Sequence, residues 1–529
     1  MERIDTDILV IGGGSGGLSV AAGAVQMGAR VVLLEGHKMG GDCLNYGCVP
    51  SKALLAAASV AHAQGGNAAM GIGPGQATIN YGAAKDFVAS VIGQIAPHDS
   101  EVRFEGLGVT VIEDFGRFTS PTEVQAGNRV VTARRIVIAT GSSPFVPPIP
   151  GLSDLPHYTN ETIFELCERP DNLLIIGGGP IGMEMAQAHR RLGSEVTVIE
   201  GQNVFAKDDP ELSAIVVQKL RDEGIEIVEE ALAQSVSGKG DDITVSTTQG
   251  EFHGTHLLLA VGRKVNTERL NLEAAGIDYD RSGIKVDAGL RTRNRRVYAI
   301  GDVAGSLQFT HVAGYHAGVV IRSMLFGLPA KAKRNHIPWA TYTAPELAQV
   351  GLTEAQARAR YGARLEVVRV DFDGSDRAIA TGKTTGMIKV MVVKGRPVGA
   401  SIVGAGAGEL IGIWAMALAN NLKMSAIAAM VLPYPTMGEI NKRVAGAYFS
   451  PKLFESRFIR WLVALVQRFI PSRVRSQSHV SNAFRTVLYC HSAFCGSGGD
   501  SDPRATGRAF STRLFPRKPG ARSNRILGA

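Results

Sequence analysis

Two glycine-rich segments, each set between a short apolar run and a stretch of helical character, constrain this fold more than any other feature. The first, Gly12-Gly13-Gly14-Ser15-Gly16-Gly17, follows the apolar run ending at Ile11. An alanine-rich helix comes next, then Val31-Val32-Leu33-Leu34, closed by Glu35. The second, Gly177-Gly178-Gly179-Pro180-Ile181-Gly182, follows Leu173 to Ile176 and leads through a helix to Val196-Thr197-Val198-Ile199, closed by Glu200. Glycines at the first, third and sixth places (Gly12, Gly14, Gly17; Gly177, Gly179, Gly182) give a tight turn, room for a pyrophosphate and close helix–strand packing. The acid ending the second strand accepts hydrogen bonds from a ribose. One such glycine triplet is a weak signal, but two complete strand–loop–helix–strand–acid units predict an α/β chain with two Rossmann-like dinucleotide-binding domains. At the second site Glu200 favours a free 2′-hydroxyl, and Gly201, Gln202 and Asn203 supply no arginine for a 2′-phosphate. NADH is therefore expected there, with NADPH disfavoured rather than excluded.

Just beyond the first loop lies Gly40-Gly41-Asp42-Cys43-Leu44-Asn45-Tyr46-Gly47-Cys48-Val49-Pro50-Ser51-Lys52. Five residues along a straight helix separate Cα atoms by roughly 7.5 Å. A disulfide spans at most about 7 Å, so a Cys43–Cys48 bridge requires an irregular turn. Strained, accessible disulfides are the labile and catalytic ones. The pair reads as a redox centre beside a nucleotide. Cys167 stands alone in Phe164-Glu165-Leu166-Cys167 and is expected to be a small packing residue.

At 529 residues the chain exceeds one hydrophobic core and should hold three or four domains. Only three of its five cysteines precede residue 490, as suits a reducing compartment. The opening residues already read as a buried strand and no apolar run reaches the roughly 20 residues of a membrane span, so a cytoplasmic enzyme is expected. The formal charge of +8 resides in residues 471–529, which carry nine Arg, one Lys and two Asp. The body is neutral, which argues against a nucleic-acid partner.

Together these segments resemble the pyridine nucleotide–disulfide oxidoreductases, the flavoenzyme family of dihydrolipoamide dehydrogenase, glutathione reductase and mercuric reductase. Ala139-Thr140-Gly141-Ser142-Ser143-Pro144 resembles the family's return of the chain to FAD, and Val297-Tyr298-Ala299-Ile300-Gly301-Asp302 the strand whose aspartate meets the ribityl chain. Ala260-Val261-Gly262-Arg263 resembles the close of the nicotinamide domain. Tyr342 to Glu346 and Gly351 to Glu354 resemble the opening of a dimerisation domain. The resemblance implies FAD on the first loop, with Glu35, Thr140, Gly141, Ser142 and Asp302 in contact, NAD(P)H on the second, with Gly262, and a homodimer. It further implies Cys48 as the thiol facing the flavin, Cys43 as the interchange thiol, and Lys52 beside the flavin paired with Glu184. The resemblance assigns no bound metal.

One departure stands out. Where disulfide-reducing members carry His-Pro-Thr-x-x-Glu, this chain has Tyr434-Pro435-Thr436-Met437-Gly438-Glu439, and no histidine occurs between His336 and His479. A phenol, with pKa about 10, is a poor base at neutrality. Mercuric reductases carry tyrosine at this point, but here the metal-carrier domain with its C-x-x-C site and the adjacent C-terminal cysteine pair of that subgroup are missing from the sequence. The expected function is reduction of a disulfide or thiol-bound acceptor, with Hg(II) reduction as one alternative and a redox-sensing or membrane-recruited flavoprotein as another. Expected boundaries are 1–149 and 271–336 for the FAD-binding parts, 150–270 for the NAD(P)-binding domain and 337–450 for an α+β dimerisation domain. Residues 451–470 are expected to hold an amphipathic helix, read over 455–470 and suited to an interfacial membrane contact. Residues 471–529 read as a disordered basic tail.

Overall fold

The computed structural model describes residues 1–75, 78–305 and 307–470; the tail expectation, with Cys490 and Cys495, lies outside them. Aliphatic runs buried on both faces form parallel strands at the centre of the first sheet. Its order is Thr110–Ile112, Val31–Leu34, Glu2–Ile11, Arg129–Ile138, Glu123–Ala126, Arg117–Phe118, with Val297–Ala299 also pairing to Arg129–Ile138. The register sets Ile11 opposite Leu34 and Ile138, and Ala299 opposite Ile138. The strand ends that carry Gly12, Glu35, Ala139 and Ile300 therefore gather along one edge. In open α/β sheets that edge is where ligands bind.

A second parallel sheet runs Glu226–Val228, Glu195–Ile199, Asn172–Ile176, His256–Leu259, flanked by the antiparallel ribbon Ala233–Lys239, Asp242–Thr247, Gly250–Gly254. It repeats the first arrangement, with Ile176 opposite Ile199 and Leu259. A third, antiparallel sheet orders Pro338–Thr341, Glu346–Gly351, Arg396–Gly404, Met387–Val393, Leu365–Asp371. Its core packs Ile388, Val390 and Ile402 with Phe372, Trp414 and Tyr448.

Lys389 is only 2 % exposed, yet it ties this sheet to the layer built on the second parallel sheet. Its ammonium bonds Asp209 Oδ1 at 2.8 Å and also meets Glu211 and Glu354. A buried lysine needs such partners, and the geometry fixes how the two layers dock more than it adds stability.

Residues 1–460 form one compact unit, and a second begins at Trp461. The helix expected over 455–470 spans Arg457–Phe469. It starts two residues late because the preceding helix runs to Phe454, and the Ser456 hydroxyl accepts from the Ile459 N–H to open the new one.

Candidate active site

Both nucleotide loops are built alike. Each central strand ends on a glycine at positive φ, Gly12 at 110° and Gly177 at 117°, and the chain turns directly into a helix, Ser15–Gln26 or Pro180–Arg191. A Cβ on Gly17 would sit 1.9 Å from the Gly12 carbonyl oxygen, and one on Gly182 2.0 Å from that of Gly177, so only glycine lets helix and strand approach this closely. Glu35 accepts from Gly13 N at 2.6 Å and His37 N at 2.7 Å. Glu200 accepts from Gly178 N at 2.6 Å and Gln202 N at 2.9 Å. Each carboxylate is thereby fixed behind its loop, and both loops line a cleft of about 2240 Å³.

The cleft's wall is a polar chain. Ser142 donates to Asp302 Oδ2 at 2.6 Å, and Arg263 donates to Ser142 Oγ at 2.8 Å and Ser142 O at 2.7 Å. Arg263 also pairs with Asp42 at 3.0 Å, and Asn160 donates to the same carboxylate. Burial pushes the Asp302 carboxyl up from its ordinary value, against the hydrogen bond from Ser142. Thr140 and Asn266 lock the return strand, Oγ1 to Asn266 O at 2.7 Å and Nδ2 to Thr140 O at 3.0 Å. Gly141, Gly179 and Gly262 leave room, with no atom where a Cβ would project. Two long dinucleotides fit this lining: bare glycine loops at both ends, an acid behind each, and the half-buried Asp302 carboxyl between.

The cysteines lie at the floor. The helix Gly41–Asn45 stops at Tyr46, the chain turns at Gly47, and Cys48 opens the helix Cys48–Ala63. This is the irregular turn the spacing demanded. A Cβ on Gly47 would stand 2.9 Å from the Asp42 carboxylate and 3.3 Å from Cys43 Cα, so glycine permits the folding-back. Cys48 Sγ lies 3.5 Å from Thr310 Oγ1, at the start of the helix Thr310–Phe326. The Cys43 thiol's hydrogen bond pulls Cys48 down to about 6, aided by Thr310 and Lys52 and opposed by desolvation. The same bond, with burial, pushes Cys43 up. The helix N-terminus adds to the preference for a thiolate at Cys48.

One turn on, Lys52 Nζ bonds Glu184 Oε2 at 2.7 Å and lies 4.6 Å above the Tyr342 ring. Glu184, 4 % exposed, also accepts from Tyr342 N at 2.9 Å. One carboxylate thus joins the cysteine helix, the second loop's helix and the entry to the third sheet.

Tyr434 and Glu439 do not line this cleft in their own chain. The Tyr434 phenol is 68 % exposed and donates to Asp376 Oδ2 at 2.8 Å. That bond pushes the phenol further above its ordinary value. Cys167 is a correction: the thiol is exposed, donating only to Glu165 O at 3.5 Å, because Ile163 fills the buried place in this turn. Thr310, His311 and Asn160 line the cleft without having been singled out in the sequence, and Asp42 and Tyr342, quoted there only within longer motifs, line it too. The run Phe309-Thr310-His311 at a helix start was the available signal. Among the described residues, no cluster of three or more His, Cys, Asp or Glu could hold a metal ion.

Residues 6–317 match the family model described as pyridine nucleotide-disulphide oxidoreductase, and residues 337–445 match that family's dimerisation domain. The chain belongs to this family. A mercuric reductase of Acidithiobacillus ferrooxidans is 36 % identical over 457 residues, covering 83 % of this chain and 82 % of that protein. A dihydrolipoyl dehydrogenase of Bacillus subtilis is 32 % identical over 456 residues, covering 84 % and 96 %. Among solved structures, the Cu(II) complex of the HOCl-induced flavoprotein disulfide reductase RclA from Escherichia coli superposes with a TM-score of 0.76 at 28 % identity, covering 84 % of this chain and 99 % of that one. This pyridine nucleotide–disulfide oxidoreductase is accordingly a flavoprotein of the FAD-containing, NAD(P)H-using kind, with a domain for homodimer formation. No described helix is long and apolar enough to cross a membrane.

Proposed function

We propose that this flavoprotein is a cytoplasmic enzyme that spends NADH, in preference to NADPH, on reducing a disulfide or a thiol-bound acceptor. The observation that carries the reading is the cysteine pair, with Cys48 tuned toward thiolate at the floor of a cleft both nucleotide loops share. FAD, when bound, supplies a two-electron carrier between nicotinamide and disulfide. Cys48 faces that carrier, held by Thr310. Cys43, whose thiol keeps its proton, is the interchange thiol, and Lys52, oriented by Glu184, holds positive charge beside the carrier. Tyr434 and Glu439 belong to the partner subunit's contribution to each of two sites per dimer.

Tyrosine at position 434 favours a second reading, Hg(II) reduction, in which a phenol helps hold a soft ion that two thiolates ligate. NADH oxidation with lipoamide, with glutathione disulfide and with Hg(II) in excess thiol separates the two. Cys43-dependent turnover with a disulfide and none with mercury is expected. Mercury turnover alone transfers the assignment to the second reading.

The helix Arg457–Phe469 supports recruitment to an anionic lipid surface. Phe458, Trp461, Leu462, Leu465, Val466 and Phe469 recur at helical spacing on one face, and Arg457, Arg460 and Arg468 occupy the other without an acidic residue between them. Leu462, Val466 and Phe469 are exposed. Replacing Leu462 and Val466 by Glu is expected to abolish co-sedimentation with phosphatidylglycerol vesicles and leave turnover unchanged. Vesicle binding that survives the double substitution removes the helix from this role.

A further inference from the structure

The cleft needs a proton acceptor that position 434 does not provide. Any thiol that attacks a disulfide reacts as its thiolate, so an exchange at Cys43 runs fastest with a base nearby. Two histidines line the cleft. His37 sits at the far end, its N–H bonded to Glu35 and its ring edge-on to Phe115. His311 sits at the cysteine end, directly after the Thr310 whose hydroxyl touches Cys48.

The imidazole of His311 is oriented by two contacts. Its Nε2 lies 2.7 Å from the Pro338 carbonyl oxygen, and its ring stacks on Phe309 at 5.3 Å with 8° between planes. A carbonyl oxygen only accepts, so Nε2 carries the hydrogen and the Nδ1 lone pair is left as the basic position. Nδ1 makes no hydrogen bond among the described residues, and the side chain is exposed to the cleft. A fixed tautomer with an open basic nitrogen is how a base is positioned, and Pro338 is the residue that positions it.

We propose that His311 is the acid/base of thiol–disulfide exchange at Cys43, supplied from the same chain as the cysteines. The inference rests on the disulfide reading above. In the exchange, Nδ1 takes the proton of an incoming dithiol and the resulting thiolate sulfur attacks Cys43 Sγ. The Cys43–Cys48 bond breaks and Cys48 leaves as a thiolate. The second sulfur of the dithiol, its proton released to solvent, then attacks the mixed disulfide and expels Cys43, which takes the proton held on His311. The dithiol is oxidised by two electrons, and the protein disulfide is reduced by two. Cys43, whose thiol form is favoured, is the natural proton recipient. The cleft lining also carries both thiols, Asp42 with Arg263, Lys52 with Glu184, Tyr342, and Lys207 with Asp208 beside Trp339.

The test mixes the oxidised holoenzyme anaerobically with dithiothreitol at pH 7 and counts new thiols by quenched alkylation and mass spectrometry, a readout independent of the flavin. A parallel reaction uses NADH as reductant. For His311→Gln, whose amide still donates to Pro338 O, the dithiothreitol reaction is expected to slow about 100-fold. The NADH reaction should keep its native rate, and added imidazole should restore His311→Ala. A variant that reacts with dithiothreitol within twofold of native, or that slows equally with both reductants, overturns the role of His311. A native enzyme that yields no pair of thiols with either reductant overturns the disulfide reading itself, and the inference with it.

Discussion

Replacing Cys43 with Ser is expected to abolish turnover on every acceptor while NADH still bleaches the flavin. The two sulfurs are not equivalent in their surroundings. Cys48 opens a helix, touches Thr310 and has Lys52 one turn away, which all favour the anion. Cys43 lies on the short helix Gly41–Asn45 and retains its proton. It is the sulfur that can exchange with a substrate while Cys48 stays against the carrier. Losing a nucleophile of this kind costs on the order of 10⁴- to 10⁶-fold in kcat. Steady-state rates of Cys43→Ser and Cys48→Ser, beside rapid-mixing spectra, check the assignment. The Cys43 variant should keep the long-wavelength thiolate-to-flavin absorbance at neutral pH, and the Cys48 variant should lack it. Absorbance lost in Cys43→Ser and kept in Cys48→Ser reverses the two roles.

The two nucleotide folds are legible in the sequence because their glycines encode backbone geometry locally. Gly12 and Gly17 are five residues apart, and the clash that excludes a Cβ at position 17 involves the carbonyl of position 12. The turn between Cys43 and Cys48 was legible for the same reason. Contacts across the chain were not. Lys52 and Glu184 are 132 positions apart, and only the family resemblance joined them before the structure did. Thr310 stands 262 positions from Cys48, and the run Phe309-Thr310-His311 marks a helix start but not the thiol that its hydroxyl meets. The family resemblance places an imidazole at position 434, where this chain has Tyr434, and no motif points to His311. Tyr434 donates to Asp376, 58 positions earlier, a pairing set by how the third sheet's loops fold together. Cys167 was misjudged because burial in a short loop depends on which neighbour, here Ile163, turns inward.

Acidifying the two-electron-reduced enzyme is expected to extinguish its thiolate-to-flavin absorbance with a midpoint near pH 6. The sign follows from the direction of the shift. Cys48 is held down to about 6, first by the Cys43 thiol donating to it, then by Thr310 and Lys52 against desolvation. Above that value the sulfur is an anion and the absorbance is full; below it the sulfur is protonated and the absorbance goes. An ordinary thiol, near 8.5, would already be mostly protonated at pH 7. Each supporting group should move the midpoint upward when removed. Thr310→Val deletes one donor, Lys52→Met deletes the cation, and Cys43→Ser exchanges the leading thiol donor for a hydroxyl. If the three contribute separately, Thr310→Val and Lys52→Met each move the midpoint up and the double variant moves it further. A midpoint that stays near 6 in both single variants would leave the Cys43 thiol and the helix N-terminus as the groups that hold the Cys48 anion. A native midpoint near 8.5 would remove the electrostatic basis for assigning Cys48 to the flavin side.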